Sequence, residues 1–250
     1  MNLFQQYAEF YDYFYLKKDY EYEVNFIINL FNKKNFNEGS IVEFGSGTGK
    51  HAKVFNNNSE FYITGYEISE DMIKKSYKSK KFKPKLGDIR LSGQSNKYNA
   101  ALSVFHVINY LVKQKDLESA FSNISRVLKK KGLVFLDYWE NDINLKRKFL
   151  KGESVNKVNF GNDTEIERKM EIARTSQKNT LNLKMNFSIF QKDKLTNNFS
   201  ENHKLRYFSE KELVNLAKNY GFNKISSGFF PSKNIQKNNF SYKYLFLQKA

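Results

Sequence analysis

Short apolar runs alternate with helix-compatible segments along the first part of the chain. Apolar runs at residues 61–69, 100–111 and 131–139 predict strands, and the segments at 70–79 and 116–130 predict helices. Strands that alternate with helices in this way are typical of βαβ units on a parallel sheet. Right-handed crossovers then place the carboxyl ends of the strands at one edge, where such sheets bind ligands.

A different pattern follows Trp139. In the run LNLKMNFSIF every second residue is apolar, which indicates a strand with one buried and one solvated face. We predict strands at 164–175, 180–190 and 199–208, after a short charged helix at 141–150. These strands are expected to form an antiparallel insertion.

The two ends of the chain also show regular patterns. Five aromatic residues near the start recur at three- and four-residue steps, which predicts one stripe on a helix. They are Tyr7, Phe10, Tyr11, Phe14 and Tyr15. Near the other end, residues 209–220 predict a helix with Ser209 as N-cap and Glu212 as the partner in a capping box. Segments 222–230 and 241–248 predict a closing antiparallel strand pair.

A glycine-rich turn follows the first predicted strand. The segment IVEFGSGTGKHA predicts a strand, a tight turn and a helix, with Gly45, Gly47 and Gly49 at every second position. Glycine adopts positive φ and lets a ligand approach the main chain. The spacing differs from the G-x-G-x-x-G of dinucleotide-binding folds, and Glu43 stands two residues before the first glycine. We expect a ligand bound against main-chain amides, with a glycine turn that has no cofactor role as the alternative.

This turn resembles the first motif of the class I S-adenosylmethionine-dependent methyltransferases, an acidic residue followed by G-x-G-x-G. Later segments match the family in order. Glu67 ends the second strand about 20 residues beyond the turn, where an acid binds ribose hydroxyls in doubly wound folds. Asp88 in LGDIR matches the family's acid near the adenine amino group, and KGLVFLDYW matches its fifth strand.

The resemblance covers roughly the first 140 residues and implies S-adenosylmethionine as cofactor, with S-adenosylhomocysteine as product. It implies cofactor contacts from Tyr11, Glu43, Gly45, Ser46, Gly47, Gly49, Glu67, Ile68, Met72, Asp88, Ile89 and Phe105. Tyr11, Asp12 and Tyr15 match a Y-D-x-x-Y segment that folds over the cofactor in similar small-molecule methyltransferases. Plain packing of these tyrosines is the alternative.

The expected fold class is α/β: a Rossmann-like, doubly wound, mixed seven-stranded sheet with an antiparallel β insertion after the fifth strand. We expect a single methyltransferase domain over residues 1–250. Its predicted parts are a helical N-terminal lid at 1–36, a cofactor-binding core at 37–140, an antiparallel substrate-binding insertion at 141–208, and a closing helix and strand pair at 209–250.

Three residues are candidates for catalysis. Methyl transfer from a sulfonium requires alignment of the reactants and exclusion of water. A hydroxyl or ammonium acceptor must also lose a proton, which histidine can accept near neutral pH. We predict His106 as this base because it follows the fourth strand at the cofactor edge, with Tyr110 in the same pocket. His203 is the second candidate, and a purely structural histidine is the alternative.

The segment that contains His203 also suggests a substrate. HKLRYF resembles an H-x-x-R-x-F stretch found in relatives of N-methyltransferases that act on nucleotide-linked amino sugars. Arg206 is predicted to contact an anionic substrate, because the guanidinium fork suits phosphates. An exposed ion pair is the alternative for Arg206. Tyr15 and Asn109 are the other predicted substrate ligands.

Composition excludes several kinds of site. The 250-residue chain has no cysteine, so it has no thiolate nucleophile and no disulfide. Its three histidines are too scattered for a recognisable zinc motif, and we predict no metal. The net charge of +16 suits a phosphorylated small molecule as well as RNA, so charge does not choose between them.

We therefore predict an S-adenosylmethionine-dependent methyltransferase acting on N or O of a small molecule. The expected acceptor is a nucleotide-activated amino or deoxy sugar for surface polysaccharide or natural-product synthesis. An RNA methyltransferase and a cofactor-binding regulatory protein without turnover are the alternatives. With no apolar run of about 20 residues and no signal-peptide pattern, we expect a cytoplasmic protein without membrane contact. A homodimer is left open.

Overall fold

The computed structural model describes residues 4–140, 154–161, 163–230 and 242–250. Its helices are α1 Tyr7–Phe14, α2 Tyr20–Asn32, α3 Lys50–Asn58, α4 Glu70–Lys74, α5 Gln114–Val127 and α6 Glu210–Asn219, with a 3-10 helix at Val107–Tyr110. Its strands are β1 Glu38–Phe44, β2 Glu60–Glu67, β3 Phe82–Leu86, β4 Tyr98–Ser103, β5 Leu128–Trp139, β6 Ser154–Asn159, β7 Thr164–Arg174, β8 Thr180–Gln191, β9 Lys194–Arg206, β10 Phe222–Phe229 and β11 Tyr242–Lys249. None of the described helices is both long enough and apolar enough to cross a membrane.

The larger sheet has seven strands in the order β10-β11-β5-β4-β1-β2-β3. Strands β1 to β5 pair in parallel, whereas β11 runs antiparallel to both β5 and β10. Helices cover both faces, because α2 and α3 contribute to one apolar core and α5 and α6 to the other. The predicted fold class, an α/β protein with a mixed seven-stranded sheet, is confirmed.

The smaller sheet follows β5 in the chain and has four antiparallel strands in the order β6-β7-β8-β9. The aromatic stripe of α1 packs on it: Tyr7, Phe10 and Phe14 share a buried cluster with Ile166 and Phe187. Helix α1 therefore packs on a sheet that comes much later in the chain, after the five parallel strands of the larger sheet. The antiparallel insertion is therefore also confirmed.

Two predicted elements end earlier than expected. The strand at 100–111 stops at Ser103, because Phe105 and His106 adopt positive φ angles of 67° and 66°. Both main-chain N–H groups donate to Asp137, which stabilises this non-helical, non-strand bend. The helix at 70–79 stops at Lys74. The chain turns there because the Tyr77 N–H donates to the Thr48 carbonyl oxygen, 2.9 Å away.

Other differences lie in the insertion. Strand β6 was not predicted, because its residues are mostly exposed and its sequence, SVNKVN, has no alternating apolar face. Strand β9 begins at Lys194 rather than near residue 199, directly after a tight turn at Lys192 and Asp193 with φ of 48° and 62°. The first residues of β9, KLTNN, are exposed and mostly polar, so the hydrophobic pattern does not predict a strand there. The predicted helix at 141–150 lies outside the described residues.

Candidate active site

The glycine turn joins β1 to α3, and its three glycines have different environments. All have positive φ: 70° at Gly45, 53° at Gly47 and 76° at Gly49. A Cβ at Gly45 would lie 2.3 Å from Val107, and one at Gly49 would lie 2.7 Å from Phe82. A Cβ at Gly47 would meet nothing within 4 Å. Two glycines therefore allow close packing, whereas Gly47 faces open space.

Glu67, at the end of β2, holds this turn in place. Its Oε2 accepts a hydrogen bond from the Gly47 N–H at 2.9 Å, and its Oε1 accepts one from the Ser69 N–H at 3.0 Å. Burial raises the pKa of Glu67, and these main-chain donors partly oppose that rise. Each carboxylate oxygen has a second lone pair, so Glu67 keeps acceptor capacity for a ligand.

Glu43 and Ser46 carry polar atoms that the protein does not satisfy. Glu43 Oε2 and Ser46 Oγ are buried and have no hydrogen-bond partner among the residues that the structure describes. Burial, and secondarily the charge of Glu67, raise the pKa of Glu43 to about 8. Buried polar atoms without a partner are rare and costly. Glu43 and Ser46 flank the start of the glycine turn, so this turn is the candidate place for a polar ligand.

A charged network that the sequence did not suggest lies behind the turn. His51 Nε2 is 2.9 Å from Glu23 Oε2, and His51 Nδ1 is 3.8 Å from Glu43 Oε1. Lys18 forms an ion pair with Glu23, and its Nζ lies 4.7 Å from the centre of the Phe105 ring. No spacing rule links these residues, because they meet only through the packing of α2 against α3.

The Y-D-x-x-Y segment in α1 lies over the glycine turn. Asp12 Oδ1 accepts a hydrogen bond from Thr48 Oγ1 at 2.7 Å, and Asp12 Oδ2 is 3.0 Å from Lys50 Nζ. Tyr15 contacts the Tyr11 ring at 4.8 Å and the Phe105 ring, edge-on, at 5.1 Å between centroids. The structure thus places Tyr15 beside Phe105 and Tyr11 beside Tyr15, with Asp12 bonded to the glycine turn.

The remaining predicted cofactor residues lie after β2 and β3. Asp88 forms a two-pronged contact with the Arg90 guanidinium, with Nε 3.0 Å from both carboxylate oxygens. Burial alone would raise the pKa of Asp88, but the bonds from Arg90 lower it. Ile89 and Met72 are buried, whereas Ile68 is 54% exposed. Of the apolar candidates, only Ile68 presents a large open surface.

His106 follows β4 and lies beside Asp137; its main-chain N–H donates to Asp137, but among the described residues its ring forms no hydrogen bond with that carboxyl. Its Nδ1 is 3.3 Å from Asp137 Oδ2 and has no hydrogen-bond partner. The ring stacks on Tyr242 with centroids 4.7 Å apart. Burial, with a contribution from Lys18, holds the pKa of His106 well below its usual value, while burial raises the pKa of Asp137 to about 7. His106 is therefore neutral at pH 7, but a weak base.

Tyr110 and His203, which are far apart in sequence, are brought together. The Tyr110 hydroxyl is 2.9 Å from His203 Nδ1, and His203 Nε2 is 3.0 Å from Glu201 Oε2. The Phe4 N–H also donates to Glu201 Oε2, at 3.1 Å. His203 is fully buried. Sequence reasoning found the tyrosine and the histidine but missed Glu201, although it stands on the same face of β9 two residues away.

Asn109 and Arg206 are engaged by the protein itself. Asn109 is fully buried; its Nδ2 donates to the Arg206 carbonyl oxygen at 2.6 Å, and its Oδ1 accepts from the Trp139 N–H at 3.2 Å. The Arg206 guanidinium pairs with Glu212 and donates to Gln114 Oε1 at 3.1 Å. These contacts join β5, β9 and α6, so both side chains have structural roles. Substrate binding by either one stays a prediction.

Arg168, on β7, is a buried cation that the sequence did not single out. Its Nη1 donates to the hydroxyls of Tyr7 and Tyr15, and its guanidinium lies 4.4 Å from the centre of the Phe14 ring. Within the described part of the chain no carboxylate pairs with it, and its Nε has no hydrogen-bond partner. Burial would lower the pKa of Arg168, but Tyr15 and Tyr7 raise it. Arg168 therefore fastens α1 to the insertion.

Comparison with known proteins identifies the family. A family model described as a methyltransferase domain matches residues 15–227. The chain belongs to this methyltransferase family. A curated relative from Streptomyces venezuelae, dTDP-3-amino-3,4,6-trideoxy-alpha-D-glucopyranose N,N-dimethyltransferase, is 31% identical over 138 residues. This match covers 53% of the chain and 56% of the relative, so the chain spans about half the length of the curated relative it matches.

Solved methyltransferase structures share the fold across nearly the whole chain. Streptomyces venezuelae DesVI superposes with a TM-score of 0.79 at 22% identity, covering 98% of each chain. SAM-bound CalS10, an amino pentose methyltransferase from Micromonospora echinaspora, gives 0.75 at 17% identity, covering 100% of this methyltransferase and 99% of CalS10. The sugar N-methyltransferase KedS8 from a Streptoalloteichus species gives 0.76 at 16%, covering 94% and 91%.

These findings confirm, at the level of the family, the enzyme class predicted from the sequence and its cofactor, S-adenosylmethionine. The residues of this methyltransferase also fit that cofactor. Glu43 Oε2 and Ser46 Oγ are unsatisfied buried acceptors, and Gly47 leaves space above the main chain. An amino acid ammonium group and ribose hydroxyls are donors of the kind that such acceptors require.

Proposed function

We propose that this methyltransferase transfers a methyl group from S-adenosylmethionine to the amino nitrogen of a nucleotide-activated deoxy sugar. The observation that carries the cofactor part is the set of unsatisfied polar atoms at the open glycine turn. The sugar part is supported by the printed activity of the curated relative, a dimethyltransferase of a dTDP-linked amino sugar. Oxygen methylation is the alternative for the acceptor atom, and both polysaccharide and natural-product synthesis need such sugars.

The donor side of the proposed site is formed by Glu43, Ser46, Gly47 and Glu67. When bound, S-adenosylmethionine supplies an electrophilic methyl group on a sulfonium. The protein must hold donor and acceptor in line, because proximity and orientation supply much of the acceleration. Glu67 fixes the position of the Gly47 amide, so the donor side is preorganised by a hydrogen bond within the protein.

The acceptor side is formed by aromatic residues from two parts of the chain. Tyr15 and Phe105 make an edge-on pair, and the Tyr110 hydroxyl lies 2.9 Å from His203 Nδ1 on the insertion sheet. Such a wall excludes water from a reacting sulfonium. We also propose that α1 with its preceding residues acts as a lid, because Asp12 and Phe4 attach it to both sides.

The acceptor is expected to be an anion, which agrees with the net charge of +16. Attraction of a nucleotide diphosphate by this field would speed association and weaken with salt. A positive protein also attracts RNA, so RNA is included as a substrate in the experiment below.

Two measurements test the proposal. Isothermal titration with S-adenosylhomocysteine tests the cofactor site, and absence of binding would contradict it. Mass spectrometry then follows methyl transfer to dTDP-linked 3-amino and 4-amino deoxysugars, with the matched hydroxy sugars and a bulk RNA sample as controls. We expect a gain of one or two methyl groups on the amino sugars. Binding without transfer to any acceptor would favour the regulatory alternative.

A further inference from the structure

We infer that Tyr110, His203 and Glu201 form a proton-transfer chain, with the Tyr110 oxygen receiving the proton of the acceptor amine and Glu201 as the positioning residue. The inference rests on the proposed function, because it names the groups that complete methyl transfer at that site. The three side chains are joined by two consecutive hydrogen bonds of 2.9 and 3.0 Å.

The direction of these hydrogen bonds follows from the chemistry of the groups. An ionised carboxylate only accepts hydrogen bonds, so the hydrogen between Glu201 and His203 belongs to Nε2. A neutral imidazole that is protonated on Nε2 has an acceptor at Nδ1. The Tyr110 hydroxyl must therefore donate to His203 Nδ1. Its remaining lone pairs are left to accept a proton from outside the chain.

The burial of the three residues gives the chain one open end. His203 is fully buried and the Glu201 side chain is 10% exposed, whereas Tyr110 is half-buried. The Phe4 ring lies 5.0 Å from the His203 ring and 6.0 Å from the Tyr110 ring, which closes the other side. Of the two ends of the chain, Tyr110 carries the hydroxyl with free lone pairs, whereas Glu201 Oε2 is taken by His203 and by the Phe4 N–H, so we assign Tyr110 as the end that receives a substrate proton.

The step balances with the groups present. The amine lone pair forms the new N–C bond while the C–S bond breaks and its electron pair stays on sulfur. The nitrogen then carries one proton too many, which passes to the Tyr110 oxygen as the tyrosine proton moves to His203 Nδ1. Glu201 stabilises the resulting imidazolium, the role that the third member has in Ser-His-Asp triads. Removing this proton restores a nucleophilic amine for a second methylation.

His106 is less suited to this task. Its burial keeps it neutral and lowers its basicity, and its neighbour Asp137 is occupied by the main-chain N–H groups of Phe105 and His106. His203 instead has a carboxylate aligned with its second nitrogen. The two histidines thus differ in whether a carboxylate can stabilise the protonated ring.

The first test is the tautomer of His203, which requires no substrate. With three histidines in the chain, nitrogen-15 spectra of the full protein can be assigned with His51→Gln, His106→Gln and His203→Gln variants. We expect His203 to be protonated on Nε2, and Glu201→Gln to weaken that preference. Glu171→Gln, on β7 and separated from β9 by strand β8, should leave the spectrum unchanged. Protonation on Nδ1 in the unsubstituted protein would overturn the inference.

The second test separates positioning from folding. With an amino sugar that the enzyme methylates, Tyr110→Phe and Glu201→Gln should lower kcat by about 100-fold or more, the usual size of acid–base effects, and Glu201→Asp should recover part of it. In both variants the Kd for S-adenosylhomocysteine should change by less than about two-fold. That is well below the tenfold change that ~1.4 kcal/mol would produce. An unchanged kcat and pH profile in both variants would overturn the inference. If no sugar is methylated, the proposed function fails, and the tautomer still decides whether the hydrogen-bonded chain exists.

Discussion

The carboxyl edge of the parallel sheet and the insertion sheet differ in how many of their buried polar atoms have hydrogen-bond partners. At the parallel edge, Glu43 Oε2, Ser46 Oγ, Ser103 Oγ and His106 Nδ1 are buried without hydrogen-bond partners. Along the insertion, both ring nitrogens of His203 have partners, and so does the Arg206 guanidinium. The first region carries free hydrogen-bonding capacity, whereas the second is largely satisfied by the protein.

This difference indicates which part of the site needs a ligand to satisfy its hydrogen-bonding atoms. A buried polar atom without a partner costs roughly 1–3 kcal/mol, which a bound ligand can recover. In the proposed function, the cofactor supplies the hydrogen bonds that the donor side lacks. The acceptor side holds its reactive groups in a fixed arrangement before a substrate arrives, which is the condition for efficient proton transfer.

The largest expected effect is a loss of stability with rising pH that comes from the parallel edge. The folded pKa values of Glu43 and Asp137 are about 8 and about 7, whereas their ordinary values are 4.5 and 3.8. Unfolding therefore releases protons between about pH 4 and pH 8, so the free energy of unfolding falls as pH rises through that window. At ~1.4 kcal/mol per pKa unit, the ionisation of each group lowers the free energy of unfolding by about 4–5 kcal/mol at most across this window.

Urea denaturation at pH 5 and pH 8 measures this effect. Glu43→Gln and Asp137→Asn should each remove part of the fall, because an amide does not titrate. Glu60→Gln, at an exposed position at the start of β2, is the matched control and should keep the full fall. Buried His106, whose folded pKa is low, opposes the fall below about pH 6.5, so the comparison with the variants decides. A change from pH 5 to pH 8 that is the same in Glu43→Gln and Asp137→Asn as in the unsubstituted protein would show that these carboxyls are not protonated in the folded protein.

The next effect concerns the open face of the glycine turn. We expect Gly47→Ala to lower S-adenosylhomocysteine affinity about 100-fold, or ~2.8 kcal/mol, because the methyl group would occupy space that the ligand needs. Gly221→Ala is a matched control: Gly221 also has positive φ, 80°, and also has nothing within 4 Å. Both substitutions should cost about 1–2 kcal/mol of backbone strain. Equal affinities in titration calorimetry would place the cofactor elsewhere.

The smallest effect tests whether the contacts of Arg206 within the protein are structural. Arg206→Lys keeps the charge but loses the fork that reaches Glu212 and Gln114, so we expect a stability loss of about 1 kcal/mol. The KM for the sugar nucleotide should change by less than about two-fold, since 1.4 kcal/mol corresponds to tenfold. Denaturation and steady-state kinetics measure both quantities. A tenfold rise in KM at unchanged stability would instead make Arg206 a substrate ligand.

Local patterns in the sequence were sufficient for much of the fold. Alternating apolar residues identified β7 and β8, and Ser209 caps α6 as predicted, with its side chain accepting from the Glu212 N–H. The strand at 100–111 was predicted too long because neither Phe105 nor His106 signals a positive φ. That conformation depends on Asp137, which lies on the next strand along the chain.

The same limit applies to the site. Glycine spacing and strand ends suggested Glu43, Gly47 and Glu67, because their positions follow from one βα unit and its neighbour. Arg168 was missed because its partners Tyr7 and Tyr15 lie 161 and 153 positions away in sequence. Glu201 was missed because its role depends on the contact of His203 with Tyr110, 93 positions away. A periodicity within one element cannot report such partners. Only the packing of α1 and the 3-10 helix against the insertion brings them together.

The main chain of Phe4 forms hydrogen bonds with both the insertion sheet and the loop after β2. Its N–H donates to Glu201 on the insertion, and its carbonyl oxygen accepts from Ser69 Oγ, next to the residue that fixes the glycine turn. A displacement of this one peptide would disturb the carboxylate behind His203 and the loop beside Glu67 simultaneously. A fluorescent or spin label near Phe4 should consequently register donor binding and acceptor binding as the same event.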